Sequence, residues 1–424
     1  MASNKRKWLS SETDGRTIRP RLETAPYDKR KASLVFNKEA FKDFPLNDMR
    51  SFKDIRVNTQ YAYFDRTRYI PVIDSLQRVL LFLRPRRFGK SLFLSTLARF
   101  HGVENKHNYE ALFRGLDVDQ DVKSGKITPG QYLIMSFDFS AIDRSPDLEV
   151  ARKSLSGMIV NSIKAFYTTY GPYLGDKSSD QLIERNVTED PIESLGACVT
   201  LVEAALNLVM DLEDPLFGVK GIYLLADEYD AFSNEYLDPN DPRPWEQLRT
   251  SPYSLLKGFW AAVKSNLEFH QIVKCFITGV SPLSMADHTS GFNFATDVSW
   301  RKELSGLCGL TQEDILAALR LMFKSEDDVL RHFEIMKDNY DGYRFAPSSQ
   351  VPHIFNTNTC LEYLQSLVSG EPIDPSAITN SEVSEPALQI LAATPIANTI
   401  ISEGLGFNPI PYEKLVQSFR LTDL

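Results

Sequence analysis

The sequence has few cysteines and no long apolar run. Its four cysteines, at positions 198, 275, 308 and 360 of 424, stand far apart and form no C-x-x-C pair. This spacing argues against a disulfide framework and against a zinc knuckle. No stretch approaches the roughly 18 consecutive apolar residues of a membrane helix, and the N-terminus lacks the apolar segment of a secretory signal. We therefore expect an intracellular protein that does not span a membrane.

Basic side chains are outnumbered, with 47 Lys and Arg against 56 Asp and Glu, but the net charge of −9 is unevenly distributed. Residues 1–31 hold nine basic and four acidic side chains, so this segment carries +5 and the remainder −14. With few large apolar residues, the arm at 1–35 is predicted to be disordered. Its basic clusters fit a nuclear-import signal, a weak nucleic-acid contact or a solvated tail, which leaves a cytoplasmic or a nuclear location open. The acidic body argues against a nucleic-acid clamp.

Short apolar runs alternate with helical patterns through the middle of the chain. The runs predict strands at 61–64, 79–83, 132–139, 222–226 and 272–277. Amphipathic spacing predicts helices at 147–169, 191–212 and 252–267. The alternation indicates β-α-β units and a parallel sheet buried on both faces.

The pattern changes after about residue 310, where helices are predicted near 311–323, 326–337, 357–368 and 384–403, with no strong strand. We therefore divide the chain into a disordered basic arm at 1–35, an α/β core at 36–305 and a helical lid or C-terminal domain at 306–424.

A phosphate-binding pattern follows the apolar run at 79–83. The segment Arg84-Pro85-Arg86-Arg87-Phe88-Gly89-Lys90-Ser91 fits G-x-x-x-x-G-K-[ST], except that Arg84 replaces the first glycine. In such a loop the glycine lets backbone N–H groups approach phosphate oxygens, the lysine reaches the β- and γ-phosphates, and the serine hydroxyl ligates Mg²⁺. Arginines in the loop can also pair with phosphate. The residues predicted to bind the ligand are Arg84, Arg86, Arg87, Phe88, Gly89, Lys90, Ser91 and Leu92. A solvated basic turn is the plainer alternative.

Two acids follow the apolar run at 222–226. An acid at the end of a neighbouring buried strand can hold Mg²⁺ through water, and an adjacent glutamate can activate the attacking water. This assigns the metal role to Asp227, together with Ser91, and the base role to Glu228. Thr278, at the end of the run at 272–277, is a candidate sensor of the γ-phosphate. The alternatives are a turn or helix start for the acids and a strand cap for Thr278.

Taken together, these segments resemble the successive blocks of the AAA-ATPase-like P-loop family. That family carries an arginine where the generic loop has its first glycine, so Arg84 fits the resemblance. The blocks are Asp65-Arg66-Thr67, Leu83 to Ser91, Asp227-Glu228-Tyr229-Asp230, Ile277-Thr278-Gly279-Val280-Ser281, Gly291-Phe292-Asn293 and Asn339-Tyr340-Asp341-Gly342-Tyr343-Arg344-Phe345.

The resemblance implies an α/β P-loop NTPase fold of the additional-strand, AAA+-like type, in which helices sandwich a parallel sheet. It also implies ATP and Mg²⁺ as ligands. Members often carry a nuclease-like domain of the PD-(D/E)xK type after the ATPase. No strand-borne acid followed by E-x-K is found here, which leaves open a member without that domain or a shortened chain.

We therefore expect a protein that binds and hydrolyses ATP and couples its nucleotide state to an unidentified protein partner, with self-association left open. In this reading Arg86 or Arg87 stabilises charge in the transition state. The alternative is a nucleotide-binding switch or scaffold with negligible hydrolysis. A GTPase is disfavoured because no N-K-x-D motif is present, and the acidic body disfavours a helicase.

Overall fold

The fold is that of a computed structural model of the chain. It describes residues 33–37, 41–45, 49–143, 147–175, 178–231, 255–269, 271–280, 294–340, 342–346, 351–370 and 374–378. Three features predicted from the sequence lie outside these ranges: most of the basic arm, the 291–293 block and the helix at 384–403.

A five-stranded parallel sheet forms the centre of the molecule, in the order β4-β5-β6-β3-β7. Within the described ranges, the strands are β1 Ser33–Val35, β2 Tyr63–Asp65, β3 Val79–Leu83, β4 Leu133–Asp138, β5 Ile222–Asp227, β6 Ile272–Gly279, β7 Thr296–Asp297, β8 Leu310–Thr311 and β9 Ile354–Phe355. All six residues of β5 are buried. Strands covered on both faces need apolar side chains on both sides, which explains the continuous apolar runs. The predicted parallel sheet is thus confirmed.

Helices flank the sheet and also form the C-terminal part of the described structure. Those that the structure describes are α1 Phe52–Val57, α2 Tyr69–Ser75, α3 Lys90–His101, α4 Tyr109–Phe113, α5 Asp117–Lys123, α6 Leu148–Tyr170, α7 Ser179–Asn186, α8 Pro191–Asn207, α9 Leu255–Glu268, α10 Gln312–Met322, α11 Glu326–Tyr340 and α12 Thr357–Ser369. Helix α3 packs on β4 and β5, while α6 packs on β4 and α9 on β6. None of the helices in the described part of the chain is long and apolar enough to cross a bilayer.

Some elements differ from the predicted ones. Helix α8 ends at Asn207 rather than 212, because the carboxylates of Asp211 and Asp214 accept backbone N–H groups two residues onward and form turns. Between the basic arm and β3, only the strand at 61–64 was predicted, but α1 and α2 also lie there. Helices of six and seven residues are too short to produce a clear apolar period. The arm at 1–35 was predicted to be disordered, yet its last three residues form β1 and pair antiparallel with β2.

Two apolar clusters divide the interior. The larger one covers the sheet and its helices, and it includes Leu307, Cys308, Phe345 and Ile354 from the C-terminal part. The smaller one lies among α10, α11 and α12, and it includes Phe44 from the N-terminal part. Side chains of the C-terminal part therefore pack into the cluster around the sheet, and a side chain of the N-terminal part packs into the cluster among α10, α11 and α12.

The Asp65-Arg66-Thr67 block fixes the start of helix α5. The buried Asp65 carboxylate accepts the backbone N–H and the hydroxyl of Thr67 at 2.8 and 2.7 Å, and the N–H of Asp117 at 2.7 Å. The Thr67 hydroxyl oxygen accepts the N–H of Val118 at 3.1 Å. Two of the otherwise unpaired donors at the N-terminus of α5 are satisfied in this way.

The buried position of Asp65 predicts a large stability effect. Asp65→Ala leaves three buried donors without an acceptor, so we expect the free energy of unfolding to fall by about 3 kcal/mol in a urea titration. Asp190→Ala removes the exposed N-cap of α8, which accepts two N–H groups, and should cost about 1 kcal/mol. Equal losses in the two variants would contradict the role of burial.

Candidate functional site

The phosphate-binding pattern forms a tight loop between β3 and α3. Gly89 directly precedes Lys90, the first residue of α3, and has a left-handed backbone with φ of +91°. A glycine adopts this conformation without the strain that a Cβ brings. Arg87 is also left-handed, with φ of +64°. Loops of this kind that lead into a helix N-terminus present backbone N–H groups and the positive end of the helix dipole to an anion.

Lys90 lies at the centre of this loop with its ammonium group folded back. Its Nζ donates to the carbonyl oxygens of Arg84 and Pro85 at 3.0 and 3.1 Å, and the side chain is buried. Burial lowers the pKa of Lys90, and the nearby carboxylates of Asp227 and Glu228 oppose that shift. The loop therefore holds the Lys90 ammonium group close to Asp227 and Glu228, at the carboxyl end of β5.

The Arg84 side chain lies in the interior and is absent from the lining of the cavity beside the loop. Its guanidinium donates to the carbonyl oxygens of Leu83, Ser299 and Leu304. The guanidinium carbon lies 4.2 Å from the ring centre of Phe82 and 3.9 Å from that of Phe345. The sequence analysis assigned this side chain to phosphate binding. We reassign it to holding the loop, because both terminal nitrogens of the guanidinium donate to carbonyl groups and its charge faces two rings.

Phe88 connects the loop to the C-terminal part of the chain. Its ring centre lies 4.8 Å from that of Tyr343 and 5.6 Å from that of Phe345, both edge-to-face. Its carbonyl oxygen accepts the N–H of Gly309 at 2.9 Å and the hydroxyl of Thr357 at 3.2 Å. Three C-terminal segments therefore fix the loop, and nothing within the loop's own pattern indicates this.

The carboxylate of Asp227 is oriented by the neighbouring strand. The hydroxyl of Thr278 donates to Asp227 Oδ1 at 2.5 Å, and the backbone N–H of Glu228 donates to the same oxygen at 3.0 Å. Because β5 and β6 are adjacent and parallel, their carboxyl ends bring these side chains together. Thr278 thus has a direct contact with Asp227, and its predicted role as a sensor of the γ-phosphate stays a prediction.

The residues that follow β5 form hydrogen bonds to the end of β6. The carboxylate of Asp230 accepts the N–H of Val280 at 3.2 and 3.1 Å, and the N–H of Tyr229 donates to the carbonyl of Thr278 at 3.0 Å. A Cβ on Gly279 would lie 2.5 Å from the Tyr229 ring, so the close approach requires glycine.

Glu228 occupies a strained and partly buried position. Its φ of +49° is left-handed, which is uncommon for a residue other than glycine. Burial raises the pKa of Glu228, Lys90 and Arg86 oppose the rise, and Asp227 and Asp230 add to it. A carboxylate with a raised pKa accepts a proton more readily than an exposed one.

A cavity of about 700 Å³ brings most of the predicted residues together. Its polar lining includes Arg86, Arg87, Gly89, Lys90, Ser91, Ser140 and Glu228. Its apolar lining includes Pro45, Met49, Ile55, Tyr63, Phe64, Phe88, Leu92, Phe93, Leu307, Leu310 and Leu361. Asp227 and Thr278 are buried and bonded to each other rather than part of this lining.

The sequence predicted Phe88 and Leu92 of the apolar lining, but not Ser140 or the other apolar side chains. Ser140 follows β4, and its N–H and hydroxyl donate to Asp138 at 2.9 and 2.6 Å. Asp138 pairs in register with Asp227 on β5, so the end of the strand at 132–139 was the available signal. The rest of the apolar lining comes from segments far apart in the chain and left no local pattern.

Comparison with known proteins adds a family match. A family model described as "Predicted AAA-ATPase" matches residues 48–289, which include the loop, the acids and Thr278. An uncharacterised protein in the vnfD 5′ region of Azotobacter chroococcum mcd 1 is 27% identical over 306 residues. The aligned part is 72% of this chain, and the chain spans about half the length of that relative. No solved structure matches the chain.

Because the Arg84 side chain is buried, we predict that glycine, the residue of the generic motif at this position, destabilises the protein. Arg84→Gly empties the space between Phe82 and Phe345 and removes the donors to three carbonyl groups. We expect the free energy of unfolding, measured in urea, to fall by about 4 kcal/mol. Arg78→Gly is the matched control, because Arg78 also donates to carbonyl groups but is exposed, and it should cost about 1–2 kcal/mol. An Arg84→Gly variant within about 1 kcal/mol of the wild type would refute the reassignment.

Proposed function

The chain belongs to the AAA-ATPase-like family, and from this premise we propose that it binds ATP with Mg²⁺ at the phosphate loop and hydrolyses it. The observation that carries the proposal is that Gly89, Lys90, Ser91 and Glu228 line the same cavity. Phosphate-binding groups and a carboxylate with a raised pKa face the same space. A solvated basic turn gives no reason for Lys90 to be buried beside acids.

The lining supports a nucleotide rather than phosphate alone as the ligand. A volume of about 700 Å³ is far more than a phosphate group occupies. The apolar side chains of the lining offer a surface for a base, including the rings of Tyr63 and Phe64. We infer that the phosphates lie against the loop and that the base lies against the apolar lining.

The oxygen ligands present fit Mg²⁺. Within the described ranges, no group of three or more His, Cys, Asp and Glu side chains could hold a metal ion by itself. Mg²⁺ commonly uses one or two protein ligands and completes its shell with substrate phosphates and water. Ser91, which lines the cavity, would supply a direct ligand, and Asp227, just behind the lining, would hold the ion through water. The bound ion would neutralise charge on the phosphates.

Each remaining side chain has a role that follows from its position. Lys90 exchanges its bonds to loop carbonyls for bonds to phosphate oxygens. Thr278 holds the Asp227 carboxylate in one orientation. Glu228 accepts a proton from the attacking water, and Arg86, which affects the pKa of Glu228, lies where it can stabilise developing negative charge.

The nucleotide state is proposed to influence a protein partner through the C-terminal helical segment. Phe88 of the loop contacts Gly309, Tyr343 and Thr357 of that segment. A rearrangement of the loop on binding would therefore act on the C-terminal segment through these contacts. The identity of the partner and self-association stay proposals for experiment.

Two substitutions separate binding from hydrolysis. Lys90→Ala should abolish binding of a fluorescent ATP analogue, because it removes the buried cation of the loop. Glu228→Gln should retain binding but lower the rate of phosphate release at least about 100-fold, the usual contribution of a general base. Phosphate release is measured by a malachite-green assay.

Glu184→Gln serves as the control for Glu228→Gln, since Glu184 is an exposed acid on α7 and should leave the rate unchanged. Equal phosphate release by the wild type and both active-site variants would refute hydrolysis at this site. Binding without phosphate release in the wild type would support the nucleotide-binding switch.

From the raised pKa of Glu228 we predict how the rate of phosphate release changes at acid pH. The base must be ionised, so phosphate release should decline as pH falls through a pKa above the ordinary 4.5. Because the folded state binds this proton more tightly than the unfolded state, the wild type should lose stability relative to Glu228→Gln as pH rises through the same pKa. An acid limb at or below the pH expected for an exposed glutamate would contradict this environment.

A further inference from the structure

A chain of hydrogen bonds joins the phosphate loop to the start of helix α10. The N–H of Gly309 donates to the Phe88 carbonyl at 2.9 Å, and Arg66 Nη2 donates to the Gly309 carbonyl at 2.9 Å. The same guanidinium binds the Asp314 carboxylate in a fork, at 3.2 and 2.7 Å. We call these four residues the Arg66 bridge.

The bridge is rigid at each of its joints. Gly309 has φ of +90°, and a Cβ there would overlap the side chain of Ile354 and lie 3.0 Å from the ring of Phe88. Asp314 is fully buried, and its carboxylate also accepts the N–H of Thr311 at 2.7 Å. The N–H of Asp314 in turn donates to the Thr311 hydroxyl oxygen at 3.3 Å, which completes the capping box of α10. Close contacts at Gly309 and hydrogen bonds at Asp314 therefore hold the two ends of the bridge in place.

The backbone of Arg66 is also held in place by its neighbours. The flanking residues Asp65 and Thr67 are buried, bonded to each other and bonded to the first turn of α5. The Arg66 backbone is therefore held while its side chain crosses to α10. A buried ion pair is weak evidence for stability alone, because desolvating both charges offsets their attraction. The pair accordingly calls for a role beyond packing.

The bridge lies partly inside the site. Arg66 and Gly309 line the cavity together with the loop, whereas Asp314 does not. Asp314 is thus separated from the cavity by one side chain, and it belongs to the helix that begins the C-terminal helical segment. Arg66 and Gly309 therefore connect Asp314 to the loop by direct hydrogen bonds.

We propose that the Arg66 bridge couples occupancy of the cavity by a nucleotide to the docking of helix α10. This inference rests on the proposed function. Arg66 is a positioning residue that holds Gly309, and through Gly309 the Phe88 carbonyl, in the loop geometry that a nucleotide needs. Because binding equilibria are linked, a bound nucleotide also holds α10 more firmly.

The test uses Asp314→Asn, a change outside the cavity that keeps the size of the side chain and its ability to cap α10. Affinity is measured with a fluorescent ATP analogue and Mg²⁺, and protection of α10 is measured by hydrogen exchange with and without the analogue. We expect the variant to bind about ten-fold more weakly and to lose the slowing of exchange in residues 312–322 that the analogue causes in the wild type. A merely structural role would not move that second readout.

Arg66→Lys tests the bridge from its other end. One ammonium group cannot reproduce the fork on Asp314 and the bond to Gly309 together. Its affinity should therefore lie between those of the wild type and Asp314→Asn. If Asp314→Asn does not fold, the affinity of Arg66→Lys still tests the proposed coupling.

Lys274→Met is the matched control. Lys274 forms a 2.6 Å ion pair with Asp74 that is also largely buried, and neither residue lines the cavity. The control should lose stability but keep the wild-type affinity. The coupling is overturned if Asp314→Asn and Arg66→Lys lose stability yet bind the analogue as the wild type does. A wild type that does not bind the analogue would instead refute the proposed function.

Discussion

A buried guanidinium between two phenylalanine rings is the interaction on which the site depends. Arg84 places its charge between Phe82 of the sheet and Phe345 of the C-terminal part, and it donates to the carbonyl of Ser299. Its own carbonyl accepts the ammonium of Lys90. One residue therefore joins the strand, the loop and a segment about 260 positions later in the chain. The shape of the loop is therefore supported by a segment that is distant in the sequence.

Much of the fold was predictable because a parallel sheet covered on both faces leaves a strong local signal. The apolar runs at 79–83, 222–226 and 272–277 all became strands of the central sheet. The long helices at Leu148–Tyr170 and Leu255–Glu268 were also predicted within a few residues. Short elements were missed, since six or seven residues carry too little pattern and their conformation depends on capping and tertiary contacts.

The candidate site was predictable only as far as its chemistry is local. Lys90, Ser91 and Glu228 follow from residue types at fixed spacing next to strands, and all three line one cavity. The environment of Arg84 did not follow from that spacing, because a pattern of residue types does not state which way a side chain points. The Arg66–Asp314 pair joins residues 248 positions apart and left no local trace.

We propose that the phosphate loop, held by Arg84 and the C-terminal segment, binds a nucleotide in the adjoining cavity. The decisive experiment is a crystal structure of the chain with Mg²⁺ and a non-hydrolysable ATP analogue. We expect phosphates against the backbone of Gly89 to Ser91, Lys90 Nζ turned from the loop carbonyls to the phosphates, and the base against the apolar lining. An analogue bound elsewhere, with Lys90 still on the carbonyls of Arg84 and Pro85, would contradict it.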